Sequence, residues 1–199
     1  MIIEESNLKF KFAPQVCAVK FDDCKFYRKE FNKLSSAKGV DILADSKEAF
    51  QFIEVKNCSG HEAENLWRTS VNNSRVHSAP RDLDVSNRDS LDIEVTKKVA
   101  STIACLAGAW TKAERMDKAA ELQKFWRGLN DVKIPADKKK ILVILFLEGN
   151  FEDSGIKSRS KKMMMSRLQD SISRKLTWLN CQVFVVDSGT YKERYFQVS

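Results

Sequence analysis

The feature that most constrains this chain is a pair of short apolar runs separated by a polar turn. The runs cover residues 40–44 and 49–56, and the segment between them is entirely polar. Apolar runs that flank such a turn predict an antiparallel β-hairpin. Asp41, Glu54 and Lys56 lie inside the apolar runs, where a charge is costly unless it is paired or bound to a metal. The predicted hairpin therefore carries charges that need partners.

Strand geometry allows these three charges to meet. Side chains alternate between the two faces of a strand, so Glu54 and Lys56 share a face. If the turn is centred on Lys47 and Glu48, Asp41 lies opposite Glu54 and points to the same face. A slip of one residue would move Asp41 to the other face. The centred register thus predicts two carboxylates and an ammonium side by side.

The chemistry of this set indicates hydrolysis of a phosphodiester bond. Two carboxylates and a backbone carbonyl, that of Val55, form an all-oxygen set suited to Mg²⁺ or Mn²⁺. A metal-bound water is a ready nucleophile, and the metal neutralises the transition state. The ammonium of Lys56 would orient or help deprotonate the water, or stabilise a phosphate oxygen, and burial would hold its pKa near neutral. The alternative is an ordinary cross-strand ion pair on a solvated face.

Asp41 together with Glu54-Val55-Lys56 resembles the signature of the PD-(D/E)XK nuclease superfamily, which includes restriction endonucleases and Holliday junction resolvases. The resemblance implies that Asp41 and Glu54 ligate a divalent metal and that Lys56 assists the attacking water. It covers about 20 residues directly, and the order of the predicted elements extends it over most of the chain.

The resemblance also bears on residues around the hairpin. Val40 stands where the family has proline, a departure that does not touch the chemistry. Many members add an acidic residue from the helix before the first strand, for which Glu30 is the candidate catalytic residue, with Asp23 behind it. Related nucleases often place a basic residue of the next helix near the active site, so Lys97 or Lys98 is a candidate phosphate contact.

The remaining pattern predicts an α/β fold. The fully apolar run 141–147 indicates a central parallel strand buried on both faces, and the strand, helix and strand that end the chain predict a right-handed crossover. In chain order the predicted elements are a helical start to about residue 35 with a short helix over 25–33, the hairpin, a helical turn at 61–67, helices over 91–110 and 114–129, a strand over 141–147, a helix over 158–179 and a strand over 181–187.

This order is similar to the core of the nuclease superfamily. The resemblance implies a restriction-endonuclease-like core, a mixed central sheet flanked by helices. A chain of 199 residues is long enough for one substantial core. We therefore expect a single nuclease-like domain over 1–199, with a polar loop near 69–90 and a helical insertion near 114–129.

Charge favours a polyanionic partner. The net charge is +7, and most of the excess lies between residues 157 and 175, a concentration typical of contact with a nucleic-acid backbone. A solubilising face is the alternative interpretation. The residues predicted to contact nucleic acid are Lys98, Arg159, Lys161, Lys162 and Arg167.

Other signals limit the class of protein. No apolar run approaches the roughly 18–20 residues of a membrane span, and the first residues do not resemble a secretory signal. Five scattered cysteines without a Cys-x-x-Cys motif predict reduced thiols in the cytoplasm. Isolated glycines disfavour a phosphate-binding loop and hence a nucleotide motor.

The sequence therefore predicts a cytoplasmic, Mg²⁺- or Mn²⁺-dependent endonuclease that acts on nucleic acid, with DNA as the expected substrate. Restriction, phage defence, repair and mobile-element roles stay open, as do a homodimer and a partner subunit. Two alternatives remain: a catalytically inactive nucleic-acid-binding or assembly subunit with the same fold, and an adapter whose acidic motif is a surface ion pair.

Overall fold

The structure is a computed structural model that describes residues 1–35, 37–72, 88–112, 117–131, 138–151 and 161–199. The strands are β1 (Ile2–Glu5), β2 (Leu8–Lys11), β3 (Cys17–Lys20), β4 (Ile42–Asp45), β5 (Ala49–Asn57), β6 (Lys140–Glu148), β7 (Cys181–Val186) and β8 (Gln197–Val198). The α-helices are α1 (Lys25–Lys29), α2 (Glu62–Asn65), α3 (Leu91–Lys112), α4 (Asp117–Asn130) and α5 (Lys161–Lys175).

The larger sheet is mixed and has the strand order β3-β4-β5-β6-β7. Strands β3, β4 and β5 pair antiparallel, whereas β5, β6 and β7 pair parallel. The predicted central strand is confirmed, because β6 lies between two parallel neighbours and buries residues 142–147. The α/β class with a mixed central sheet is likewise confirmed.

The hairpin forms in the register that the centred turn predicts. Ile42 pairs with Ile53, and the ladder continued by one residue sets Asp41 opposite Glu54. The Ser46 N–H donates to the carbonyl of Ala49 at 3.0 Å and closes the turn. Asp41 precedes the first paired residue of β4, so its side chain lies at the end of the hairpin where β5 continues beyond it.

The two faces of the large sheet are covered differently. Helices α1, α3, α4 and α5 pack on one face, against a cluster that includes Leu43, Phe52 and Val143. The small sheet β1-β2-β8 covers the opposite face, where Ile53 and Phe146 are buried. The expectation of a sheet flanked by helices therefore holds for one face, because an antiparallel sheet takes the place of helices on the other.

The predicted helical start is wrong for residues 1–20, whereas the predicted short helix over 25–33 is found as α1 and a 3-10 turn at Phe31–Lys33. Residues before position 21 form β1, β2 and β3, and the only α-helix before β4 among the described residues is the short α1. The strands of the small sheet bury alternate residues, including Ile3 and Phe10, as a half-buried strand requires. Ser6 and Asn7 take positive φ angles of 51° and 63° in the turn between β1 and β2, the conformation of a tight hairpin turn.

The later helices agree with the sequence prediction in place, with differences at their ends. Helix α3 buries Val95, Val99 and Leu106 and also the side chain of Lys98, whereas Trp110 near its end is 42% exposed. Residues 73–87 of the predicted polar loop, 114–116 of the predicted helical insertion and 158–160 of the predicted basic helix lie outside the described residues. None of the helices described is long and apolar enough to cross a membrane.

Candidate functional site

Asp41, Glu54 and Lys56 come together on the helix-facing side of the large sheet. Glu54 is completely buried, and its Oε1 lies 2.8 Å from the Lys56 Nζ. The Asp41 Oδ2 accepts a hydrogen bond from the Val55 N–H at 2.8 Å, which fixes the carboxyl of Asp41 against β5. The hairpin register thus brings Asp41, Glu54 and Lys56 together, as the sequence predicts.

Lys98 of α3 joins this cluster. Its ammonium lies 2.6 Å from the Glu54 Oε1 and 3.1 Å from the Asp41 Oδ1, so one cation bridges both carboxylates. Lys98 reaches them because it lies on the sheet-facing side of α3, one residue before the buried Val99. The resemblance implies that Lys97 or Lys98 lies near these residues, and the structure places Lys98 there, whereas Lys97 pairs with Asp89. The predicted contact of Lys98 with nucleic acid stays a prediction.

Glu94 and Arg68 complete the cluster and were missed by sequence reasoning. The Lys56 Nζ lies 3.0 Å from the Glu94 Oε1, and the Arg68 guanidinium pairs with the Glu94 Oε2. Glu94 precedes Lys98 by four residues, a spacing that puts both on one side of a helix. That spacing is the signal that could have found Glu94, whereas nothing in the local sequence of Arg68 marks it.

Burial and neighbouring charge set the protonation of the cluster. Burial raises the pKa of Glu54 to about 7, an effect that Asp41 reinforces and Lys56 and Lys98 oppose. Burial also disfavours the charge on Lys56, but the carboxylates of Glu54, Glu94 and Asp41 outweigh it and raise the pKa of Lys56 above its ordinary value. The expectation that burial holds the pKa of Lys56 near neutral is therefore wrong, and the side chain is a fixed cation at neutral pH.

Glu94 is the strongest acid of the cluster. Its burial would raise the pKa, but the positive charges of Lys56, Arg68 and Lys98 lower it to about 2. The pKa of Lys98 is also raised. Burial and the nearby charge of Lys56 lower it, but the carboxylates of Glu54 and Asp41 outweigh them. Three carboxylates therefore face three cations in a largely water-excluded place.

The donor set fits a divalent metal. The Glu54 Oε2 is buried and has no hydrogen-bond partner among the described residues, so one oxygen of this carboxylate is unused by the protein. Mg²⁺ is usually held by one or two carboxylates and keeps several waters. In the described segments no three His, Cys, Asp or Glu side chains are grouped to hold a metal ion. A metal here would have two carboxylates, Asp41 and Glu54, and the carbonyl of Val55 as its protein ligands.

Glu30, the predicted extra acid, makes different contacts. Its carboxyl pairs with Lys33 at 2.8 Å and Lys118 at 3.8 Å, and no cluster residue is among its ion-pair partners in the described chain. Asp22 lies closer to the site. Its pKa is raised by burial and by neighbouring carboxylates that include Asp41, and the adjacent Phe21 N–H donates to the Asp41 carbonyl at 2.8 Å.

The predicted basic residues of α5 are not all available to a ligand. Lys161 pairs with Asp187 at 2.5 Å, whereas Lys162 and Arg167 are exposed. Neither of these two has an ion-pair partner within the described part of the chain. Arg159 lies outside the described residues. Helix α5 packs on β7 and α3, so the helix lies at the β7 edge of the sheet.

Comparison with curated proteins and with solved structures gives no match to this chain. A family profile does match, over residues 24–199, and this range contains every member of the charged cluster. Since the match spans most of the chain, the protein belongs to the family described as a family of unknown function, DUF6661.

Proposed function

We propose that this protein is a metal-dependent nuclease that hydrolyses phosphodiester bonds, with DNA as its substrate. The observation that carries the proposal is the convergence of Asp41, Glu54 and Lys56, in which the second carboxylate oxygen of Glu54 is buried and has no hydrogen-bond partner among the described residues. The resemblance to the PD-(D/E)XK superfamily, with its restriction-endonuclease-like core, agrees with this convergence. The mixed sheet order, with an antiparallel hairpin next to parallel strands, supports it.

The roles of the residues follow from their chemistry. Asp41 and Glu54 would hold Mg²⁺ or Mn²⁺, which when bound acidifies a water and neutralises charge on a phosphate. Lys56 is fixed as a cation, so we assign it the stabilisation of a negative oxygen and the orientation of water, not the removal of a proton. Glu94 is a second carboxylate partner of the Lys56 ammonium, at 3.0 Å.

The charge of the chain supports a polyanionic substrate. The net charge is +7, while the cluster contributes equal numbers of carboxylates and cations, so the excess lies elsewhere. Lys162 and Arg167 are candidate phosphate contacts because both are exposed.

The cytoplasmic localisation is also part of the proposal, and the five free cysteines support it. A homodimer or a partner subunit is compatible with it.

One observation favours the second candidate, an inactive nucleic-acid-binding or assembly subunit with the same fold. Lys98 already compensates both proposed metal ligands. A cluster whose charges balance without a metal could serve as a buried ionic core instead of a catalytic site. This candidate predicts retention of nucleic acid without cleavage.

The test is cleavage of plasmid and of single-stranded DNA in Mg²⁺ or Mn²⁺ by the intact protein and by Glu54→Gln. Glutamine keeps the shape of the side chain but removes the charge that a metal needs. Glu48→Gln is the matched control, because Glu48 lies in the turn of the same hairpin, is exposed and pairs only with Arg194 in the described chain. We expect cleavage by the intact protein and the control and a loss of about 100-fold or more in the Glu54 variant.

Cleavage that survives in Glu54→Gln would show that the activity lies elsewhere. DNA retained without cleavage, in every metal tried, would favour the inactive subunit.

A further inference from the structure

We propose that Lys98 is the resident counter-cation of the two-carboxylate site and that a divalent metal binds by displacing its ammonium. This inference rests on the proposed function, since it assigns the regulation of the same site. In the structure the Lys98 ammonium bridges Asp41 and Glu54. The metal-bound state would require the Lys98 side chain to move.

The position of the Lys98 ammonium carries the argument. It lies 2.6 Å from the Glu54 Oε1 and 3.1 Å from the Asp41 Oδ1, so it lies between the two carboxylates that would bind the metal. Mg²⁺ needs ligands at about 2.1 Å, and a second cation held between the same oxygens would be strongly repelled at such a distance. A metal that takes the Glu54 Oε1 and the Asp41 Oδ1 therefore excludes the ammonium from them.

The contacts identify Lys98, and not Lys56, as the cation that leaves. Lys56 has a second carboxylate, Glu94, at 3.0 Å, and Arg68 holds Glu94 in turn. The side chain of Lys98 has no ion-pair partner in the described segments besides Asp41 and Glu54. When Asp41 and Glu54 bind a metal, Lys56 keeps its contact with Glu94, whereas Lys98 loses both of its partners.

Displacement would give Lys98 a second role. Its long flexible stem keeps the ammonium close to the site after it leaves the carboxylates, and the free cation can then meet a phosphate oxygen of the substrate. The ammonium becomes available for that contact only when the metal is bound. Metal binding and phosphate binding would thus be coupled through one side chain.

The first test is Mn²⁺ binding to the full chain, measured by calorimetry. Lys98→Met removes the charge while keeping an unbranched chain of similar length. Lys97→Met is the matched control, because Lys97 is the preceding residue, is exposed and pairs with Asp89 instead. We expect Mn²⁺ to bind about tenfold or more tightly to Lys98→Met than to the intact protein, since a unit charge within about 4 Å has been removed. Lys97→Met should bind as the intact protein does.

The outcomes separate this inference from the proposed function. Equal Mn²⁺ affinity of the intact protein and a folded Lys98→Met would overturn the displacement of Lys98 and leave the metal site standing. The absence of Mn²⁺ binding to both, with normal thermal unfolding of both, would overturn the metal-dependent function, and the inference with it.

A second test uses the intact protein, so it does not depend on the folding of a variant. Acetic anhydride modifies exposed lysines, and mass spectrometry measures the modification at each position. Lys98 is 8% exposed and should be protected without metal, then become several times more reactive in Mn²⁺, while Lys97 stays unchanged. Unchanged protection of Lys98 in saturating Mn²⁺ would contradict its displacement.

Discussion

At the scale of single residues, the role of Lys56 depends on how many carboxylates surround it. For a buried lysine with one carboxylate partner, burial lowers the pKa and the negative charge of the partner raises it. Here Glu54 and Glu94 both contact the ammonium, and their charges outweigh burial, so the pKa of Lys56 rises. Glu54, with Glu94 as the second contributor, therefore keeps Lys56 a fixed cation at this position.

Removal of the Glu94 charge should destabilise the protein in a pH-dependent way. In the folded chain the pKa of Glu94 is about 2, whereas an unfolded glutamate titrates near about 4.3. Its ion pairs therefore contribute fully above the unfolded pKa, and this contribution is lost as the pH falls through about 2. We expect Glu94→Gln to lower the free energy of unfolding in urea by about 3 kcal/mol at pH 7, and the deficit should shrink below about pH 4.

Glu64→Gln is the control for this experiment, because Glu64 is exposed and pairs only with His61 in the described chain. That variant should unfold like the intact protein at every pH. A Glu94→Gln deficit that stays constant from pH 7 to below pH 3 would contradict the low pKa of Glu94.

At the scale of elements, sequence reasoning succeeds where one pattern dominates a segment. The two apolar runs around a polar turn predicted the hairpin and its register, and the uninterrupted apolar run predicted β6. It failed for β1 and β2, because each has four residues, too few for periodicity to separate strand from helix.

The candidate site was predictable only in part, for a physical reason. Asp41, Glu54 and Lys56 lie on two strands joined by a short turn, so their meeting is a local property of the hairpin. Lys98 and Arg68 reach the site from α3 and from a 3-10 turn, Leu66–Thr69, through contacts distant in sequence. The packing of α3 on the sheet decides those contacts, and no local pattern reveals it.

The start of α3 is tied to α5 by a second buried carboxylate. Asp92 is fully buried, and its Oδ2 accepts hydrogen bonds from Ser171 at 2.7 Å, from Lys175 at 2.8 Å and from the Asn72 N–H at 3.0 Å. Because three donors converge on one oxygen, Asp92 links α3 to α5 and to the segment before the helix.

We expect Asp92→Asn to cost about 2–4 kcal/mol of stability, because it leaves the ammonium of Lys175 without its carboxylate and replaces one of two buried acceptor oxygens with an N–H donor. Hydrogen exchange should also become faster at the amides of α5. Asp170→Asn is the control, since Asp170 is exposed on the same helix. Unchanged exchange in α5 would contradict the linking role of Asp92.

At the scale of the whole molecule, two sheets and a layer of helices enclose two cores. The cluster between the large sheet and the helices surrounds the charged site, and a second cluster lies between the two sheets. The central strand β6 contributes to both, with Val143 in the first and Phe146 in the second. The small sheet closes the face of the large sheet that the helices leave uncovered, so it supports β5 from behind the site.

The small sheet should be held in place mainly by aromatic packing. Phe10 is fully buried, with ring centroids 5.3 Å from Phe146 and 5.5 Å from Phe196. Phe10→Ala should lower the free energy of unfolding by about 3–5 kcal/mol, because it removes a large buried ring and leaves a cavity, and urea denaturation measures the loss. Ile2→Ala is the control, since Ile2 lies in the same small sheet but is 61% exposed and should cost little. Equal losses in the two variants would show that the small sheet is not packed through Phe10.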